Sequence, residues 1–302
     1  MPLITTGNHP KALTLGVKKF YGRAYDEHVT EYTDLFEMQT SDKSYEEVVE
    51  SVGFGLASVK GQGEAIVYDS DHQGPVSRFT GVGFALGFMI SWEEFRFNLY
   101  MDVVKRRAPD LALSMRQTHE QAAANVYNRG FNADYTGGDG VEMLSTAHPT
   151  DSGNQSNELT TPADLSEAAI EDLIIQIEQM TDARGRKIAY KPMTLHIAPG
   201  NAFEAYRILK SVNQNDTANN AVNALRAGGY LPGGVKVNHW FTDTDAWFIR
   251  TNCPWSMLHF QSDPMMFDED NDFDTKNKKY AAYERWIAAH ANFRGVYGSA
   301  GA

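Results

Sequence analysis

The stretch from Ser91 to Phe131 constrains this chain more than any other part of it. Ser91 followed by Glu94 has the form of a capping box, in which the hydroxyl serves a free backbone N–H at a helix start. Farther on, Leu111, Met115, Thr118, Ala122 and Val126 recur at steps of three and four, one stripe of a helix. Pro109 lacks a backbone donor and disfavours helix at Ala108, so the spacing predicts a new helix starting there and ending at Arg129-Gly130. About twenty residues at 1.5 Å each make that helix roughly 30 Å long. Ser91–Arg107 is then a separate element leading into it. No nucleophile, metal cluster or phosphate loop decorates the stretch. A long element without chemistry points to architecture before enzymology.

With 302 residues the chain can bury a substantial core in one or two domains. It is 42% hydrophobic and 22% charged, which excludes wholesale disorder. Aromatic residues reach 12%, enough for extensive packing within the molecule or between copies. The formal charge of −12 argues against broad nucleic-acid binding, which needs Lys and Arg to replace phosphate counterions. It remains compatible with a wall that encloses DNA without sticking to it. The single cysteine, Cys253, rules out an internal disulfide and a cysteine-ligated zinc site. No basic-then-apolar leader opens the chain, and no run approaches the ~18 apolar residues of a membrane span. The expectation is a soluble protein made in a cytoplasm-like compartment.

Residues 1 to about 45 show no strong period and read as an extended arm with one short helix near Leu13–Tyr25. From Val52 to Phe88 the texture becomes glycine-spaced and β-rich. Glu64–Tyr68 and Val76–Thr80 are the strand candidates, with a turn cluster at Asp69–Pro75 between them. They predict a long hairpin that projects from the body, since a lone hairpin is marginal in water and must be held by other subunits. Asn132–Thr161 is a polar loop of unusual length, consistent with a functional or interface role. Thr161-Pro162 opens a helix with the apolar face Leu165, Ala169, Ile170, Leu173, Ile174, Ile177 and Met180, closed by Arg184-Gly185.

A buried strand is expected at Met193–Ala198, then a helix over Ala202–Ser211 with Phe203, Tyr206 and Leu209 on its apolar side. Gln214–Gly234 reads as a loop around one short helix. Val235–Val237, Ala246–Arg250 and Trp255–Phe260 are strands, Asp268–Asp274 an acidic turn, and Lys279–Val296 one long final strand. Strands and helices alternate without a regular βαβ period, which places the chain in the α+β class.

The sequence carries little recognisable chemistry. Cys253 sits in Asn252-Cys253-Pro254 without a nearby histidine and reads as a buried structural thiol. His148 before Pro149 has no companion ligand pattern, and Gly137–Gly140 lacks the Lys-Ser/Thr of a phosphate loop. Asp268–Asp274 lacks the glycine and terminal glutamate of a calcium loop. Lys105-Arg106-Arg107 is a basic cluster placed at a helix end, where it complements the dipole or meets an acidic neighbour.

Four sets of residues, taken in order, resemble the tailed-bacteriophage major capsid proteins of the Hong Kong 97 type, in particular the Mu-like major head subunits. They are Tyr68-Asp69 with Gly87–Ser91; Asp139-Gly140, Leu144–Pro149 and Asn157; Lys191–Pro199 with Ala205–Ser211; and Tyr280–Arg285 running to Arg294–Ser299. The likeness covers essentially the whole chain, and the shared order carries it more than any single motif.

The resemblance implies a phage major capsid protein fold. Residues 1–50 would be the N-arm, 51–88 the extended E-loop hairpin, and 89–160 P-domain with a spine helix over about 109–129. Residues 161–262 would be the A-domain and 263–302 the returning P-domain strand. It implies a structural protein, not an enzyme, that assembles into pentamers and hexamers as an icosahedral shell around double-stranded DNA. The implied partners are other copies, a separate scaffolding protein, a portal and an optional decoration protein, with no membrane and no cofactor. Assembly would occur in the host cytoplasm and the product would be the virion. Tyr68, Asp69, Arg78, Phe79, Lys105, Arg106, Arg107 and Arg285 are the candidates for contacts between subunits. Lys60, the one lysine of the E-loop segment, precedes the predicted strands, so no isopeptide crosslink is expected from it. An encapsulin-like compartment shell is the alternative, and a metal-dependent hydrolase built on Asp268–Asp274 a remote one.

Overall fold

The computed structural model describes residues 21–97, 100–214 and 221–302. The helix predicted near Leu13–Tyr25 lies partly outside them; residues 21–27 are helical (α1). Part of the Gln214–Gly234 loop also lies outside.

A long helix against a long two-stranded ribbon forms the first half of the body. Helix α4 (Tyr100–Asn128) runs through Pro109 without a break, preceded by the short α3 (Trp92–Arg96). The Ser91 hydroxyl accepts from Glu94 N at 3.3 Å, as its spacing predicts. The expected start at Pro109 is therefore wrong, and packing explains why. Ala108, Leu111, Ala112 and Met115 are buried around the proline, against Ile90, Phe267, Tyr280 and Ala282. Burying a large apolar side chain contributes about 1.5–3 kcal/mol, so a few such contacts offset the roughly 3 kcal/mol of an interior proline. Lys105–Arg107 consequently lies in the first half of α4, not at a helix end, and the dipole reading of it fails.

The sheet under α4 has the order β1-β8-β9-β4. Its strands are β1 (Glu37–Thr40), β4 (Val82–Ile90), β8 (Met257–Asn271) and β9 (Lys278–His290). Asp268–Asn271, expected in a turn, closes β8 and pairs with β9; the turn falls after it, where Lys279 Nζ lies 3.0 Å from Asp272. Among the described residues no group of three or more His, Cys, Asp or Glu is placed to hold a metal ion.

The second sheet has the order β10-β7-β5-β6, built from β5 (Pro192–Ile197), β6 (Val235–Val237), β7 (Trp247–Thr251) and β10 (Val296–Ser299). Helix α5 (Glu167–Gln179), capped by the Ser166 hydroxyl accepting from Ala169 N, buries the whole predicted face from Leu165 to Met180. The predicted final strand is two strands in two sheets. It breaks at residues 293–295, where Asn292 Oδ1 accepts from Arg294 N at 3.0 Å and a side chain at Gly295 would strike Ser256. Helix α6 (Ala202–Lys210) is present but turned: Ala205 and Ile208 face the core, while Phe203 and Tyr206 are exposed. Cys253 is buried, and that burial pushes its thiol up to about 11, which leaves it inert.

A third, two-stranded ribbon corrects the predicted hairpin. β3 (Gln73–Thr80) pairs antiparallel with β2 (Tyr45–Ser51), not with Glu64–Tyr68, which carries no strand. β4 then leaves the ribbon to join β9. Glu64–Tyr68 has strand-forming residues but no ladder partner among the described residues, and strand propensity acts only through such a partner.

Candidate intersubunit interface

Residues 52–72 leave the ribbon as two limbs without regular structure. Leu56, Val59, Ile66, Val67 and Tyr68 are exposed, with Val59 at 97% and Tyr68 at 89%. Contiguous apolar groups left in water on a folded chain mark a contact surface. The limbs are nevertheless fastened near their base. Asp71 accepts from Gly53 N at 2.7 Å, and Asp69 accepts from Gly55 N and Arg184 Nη1, both at 2.6 Å. The Gly55 and Ser70 N–H groups, then the Arg184 guanidinium, hold the Asp69 carboxyl below the usual carboxylate range. His72 lies 2.9 Å from Asp151, and Glu50 2.8 Å from the buried Arg294. Replacing Arg184 by Ala should quicken hydrogen exchange over residues 53–71 while changing stability by less than ~1 kcal/mol, the ceiling for exposed pairs. Unchanged exchange would mean that the other fastenings suffice.

The predicted contact residues fall into separate places. Tyr68 and Asp69 are on the projecting limb, Asp69 already engaged by its own chain. Arg78, on β3, lies 4.0 Å over the Tyr45 ring and 4.0 Å from Glu47. Arg285 donates to Ser44 O at 3.3 Å at the foot of the same ribbon. Phe79 is 2% exposed and packs edge-on against Phe260 at 5.2 Å, so it is part of the subunit's own core rather than a contact for another copy. Arg106 and Arg107 are exposed on α4, with Arg107 3.4 Å from Met89 O. The Lys105 side chain lies outside the described residues. Sequence reasoning missed Arg184, whose place beside Asp69 is set by a contact 115 residues apart.

The polar loop between α4 and α5 is tied down by one buried amide. Asn157 is fully buried; its Nδ2 donates to Met143 O, Phe293 O and Val296 O at 2.8, 3.0 and 2.9 Å. Its Oδ1 therefore faces Ser145 N at 2.9 Å and His148 Nε2 at 3.0 Å. His148 Nδ1 lies 2.6 Å from Asp139, and the ring stacks on Phe293 with centroids 4.0 Å apart. Burial pushes the Asp139 carboxyl up, but the His148 hydrogen bond and charge outweigh it and leave it below its ordinary range. The histidine singled out from the sequence is thus a staple between the loop and the turn at Phe293 that leads into the last strand.

The sequence matches the phage capsid protein family over residues 80–299, well over half of the chain. The chain belongs to the phage capsid protein family. The match is to the family at large and does not single out its Mu-like members. Among curated proteins none matches. Solved structures agree on the fold. A virus-like particle from Pyrococcus furiosus is 11% identical, covers 94% of this chain and 97% of its own, and has a TM-score of 0.53. The capsid of a native GTA particle is 8% identical over 89% and 88%, with a TM-score of 0.54. The capsid of the cyanophage P-SCSP1u is 11% identical over 89% and 87%, with a TM-score of 0.52. The phage major capsid fold expected from the resemblance is the fold observed, and the protein is a capsid shell subunit.

Two buried histidines, His196 and His259, and the half-buried His290 should make this capsid subunit acid-sensitive. Burial first, then neighbouring positive groups, holds His196 down at about 3; burial and His119 hold His259 at about 3; burial holds His290 at about 4. In the unfolded chain each titrates near 6.5. Their contribution is fully present above that value and is lost as pH falls toward the folded values. Each costs up to about 1.4 kcal/mol per pH unit in that window. The subunit's melting temperature should fall steadily from pH 7 to pH 5; a flat profile would mean that these rings are already charged in the fold.

Proposed function

We propose that this capsid subunit is the major head protein of a tailed phage, gathering into pentamers and hexamers that close an icosahedral shell around packaged double-stranded DNA. The observation that supports it most is the projecting limb of residues 52–72, whose apolar side chains are exposed among the described residues, on a subunit of capsid family and fold. In this reading the β2–β3 ribbon and its limb are the E-loop and lap over an adjacent copy. The segment before β2 is the N-arm. Helix α4 with its sheet is the P-domain, α4 being the spine, and α5 with the second sheet is the A-domain, whose Gln214–Gly234 loop lines an axis. The ribbon strand Tyr45–Ser51 moves from the N-arm to the E-loop, and β4 from the E-loop to the P-domain. A separate scaffolding protein, a portal and an optional decoration protein complete the set, with assembly in the host cytoplasm. The charge of −12 suits a wall that encloses DNA without reading its sequence. An encapsulin-like shell would share the fold; the family match favours the head protein.

Expression with the cognate scaffolding protein and electron microscopy of the product is the direct test. Closed shells with five-fold and six-fold clusters are the expected result. A compact monomer under every assembly condition would overturn the reading.

A further inference from the structure

Residues 21–36 lie across α4 as a strap made of α1, a short linker and α2 (Tyr32–Leu35). Side chains along one side of α4 hold its backbone. Arg116 donates to Tyr25 O at 3.2 Å, Glu120 accepts from Glu31 N and Tyr32 N at 3.0 and 2.9 Å, and Tyr127 donates to Leu35 O at 3.0 Å. Beneath the strap lies a pair of histidines with no access to water. His119 Nε2 is 2.9 Å from His259 Nε2, and His119 Nδ1 is 3.4 Å from the fully buried Glu284. Glu284 also accepts from Tyr25 Oη at 3.1 Å and Trp286 Nε1 at 3.2 Å. The His119 ring is sandwiched between Trp286 of the body, at 4.0 Å, and Tyr32 of the strap, at 4.1 Å.

These contacts fix the proton positions. Burial pushes the Glu284 carboxyl up, but the hydrogen bond and charge of His119, then the Trp286 and Tyr25 donors, outweigh this and keep it below the ordinary range, so it is an anion and His119 Nδ1 is the donor toward it. His119 Nε2 then accepts, and His259 Nε2 donates. The remaining nitrogen, His259 Nδ1, is left as a bare lone pair, in keeping with its lack of any partner. A proton added to this pair has no place to go. On His119 Nε2 it faces the His259 donor across 2.9 Å; on His259 Nδ1 it is a buried donor without an acceptor. Opening the Tyr32 side of the sandwich gives the charged rings water, and that side belongs to the strap.

We propose that the strap is released by acid, its detachment from α4 and the uptake of a proton by the His119–His259 pair being a single event. The other charged groups around the pair are Arg116 and Glu120 on α4 and Glu284 on β9. Glu31, at the far edge of the strap, pairs with His239 at 2.6 Å, and Lys236 pairs with Asp34 at 3.0 Å. The closed strap is favoured fully above the ordinary histidine range, and its hold weakens about tenfold per pH unit below ~6.5 for one linked proton.

Hydrogen exchange of the full-length chain, corrected for the intrinsic pH dependence of exchange, reads this directly. Peptides covering residues 21–36 should lose protection about tenfold per unit between pH 6.5 and 5, while peptides of α5 keep theirs. His259→Gln retains an N–H toward His119 but takes up no proton, and should keep the strap closed at pH 5. Strap peptides that follow α5 at every pH, or a His259→Gln chain that opens at the same pH as the parent, would overturn the proposal. Should His259→Gln fail to fold, Tyr32→Leu provides the second test. It uncovers the His119 face and should move opening to higher pH; an unchanged opening pH would count against the strap.

Discussion

Excising residues 53–70 and joining Val52 to Asp71 through a short glycine-serine turn should yield a folded subunit that builds no shells. The ends to be joined are already adjacent, Val52 N donating to His72 O at 3.3 Å, so the shortened β2–β3 ribbon closes without strain. The removed residues contribute no described member of the hydrophobic cores. The melting temperature should therefore stay within a few degrees of the parent, the fastenings of Asp69 and Asp71 being exposed and worth under ~1 kcal/mol each. Sedimentation and electron microscopy should show isolated subunits or open clusters where the parent forms closed particles. Normal shells from the shortened chain would remove the limb from the interface, and an unfolded chain would show that it belongs to the body.

The second large effect is expected at Asn157. Ala at this position removes one donor from each of three carbonyl oxygens, of which Phe293 O keeps the Val296 N–H, and takes away the acceptor facing the Ser145 N–H and His148. An unsatisfied buried polar group costs about 1–3 kcal/mol, and such losses within one network are not additive. A destabilisation of about 3–5 kcal/mol is expected, roughly 10 °C in melting temperature for a chain of this size. Asn157→Asp should be at least as damaging, since it sets a carboxylate against the same three carbonyls. Replacing exposed Asn154 by Ala, a few residues away, should change nothing measurable. A loss below ~1 kcal/mol at Asn157 would mean that water replaces the amide, and the loop would then not depend on this staple.

These two sites also show where reading the sequence succeeds and where it stops. The apolar face of α5 was legible because seven residues at helical spacing leave one choice of face, and a buried helix must use it. The cores of β5 and β7 were legible for the same reason. For α6 the spacing allowed two faces about 100° apart, and Phe203–Tyr206–Leu209 looked the more apolar. The structure buries the smaller Ala205 and Ile208 and leaves the aromatics outside, a choice set by the room beside the second sheet. Pro109 misled because its local penalty is visible in the sequence while the packing that outweighs it is not. Glu64–Tyr68 misled in the opposite sense, since its residues favour a strand and no partner for one lies among the described residues. The contact residues depended on long-range placement: Phe79 was turned inward by Phe260, and Arg184 was brought to Asp69 by the fold of another segment. Asn157 is one polar residue in a polar loop, and only the convergence of five backbone and side-chain partners distinguishes it.

The lengths of α4 and the β8–β9 ribbon set a limit on how such a subunit changes shape. Twenty-nine helical residues span about 43 Å. The 15 and 13 residues of β8 and β9 reach about 50 and 43 Å. From Ala108 onward helix and ribbon pack side by side, Leu111 and Met115 against Phe267 and Tyr280 and His119 against Trp286, so over that stretch neither bends without the other. The pair acts mechanically as a laminated beam. Any change in the size or curvature of what these subunits build has to occur at the joints, where the limb, the strap and the exposed aromatics of α6 lie, and not along the beam.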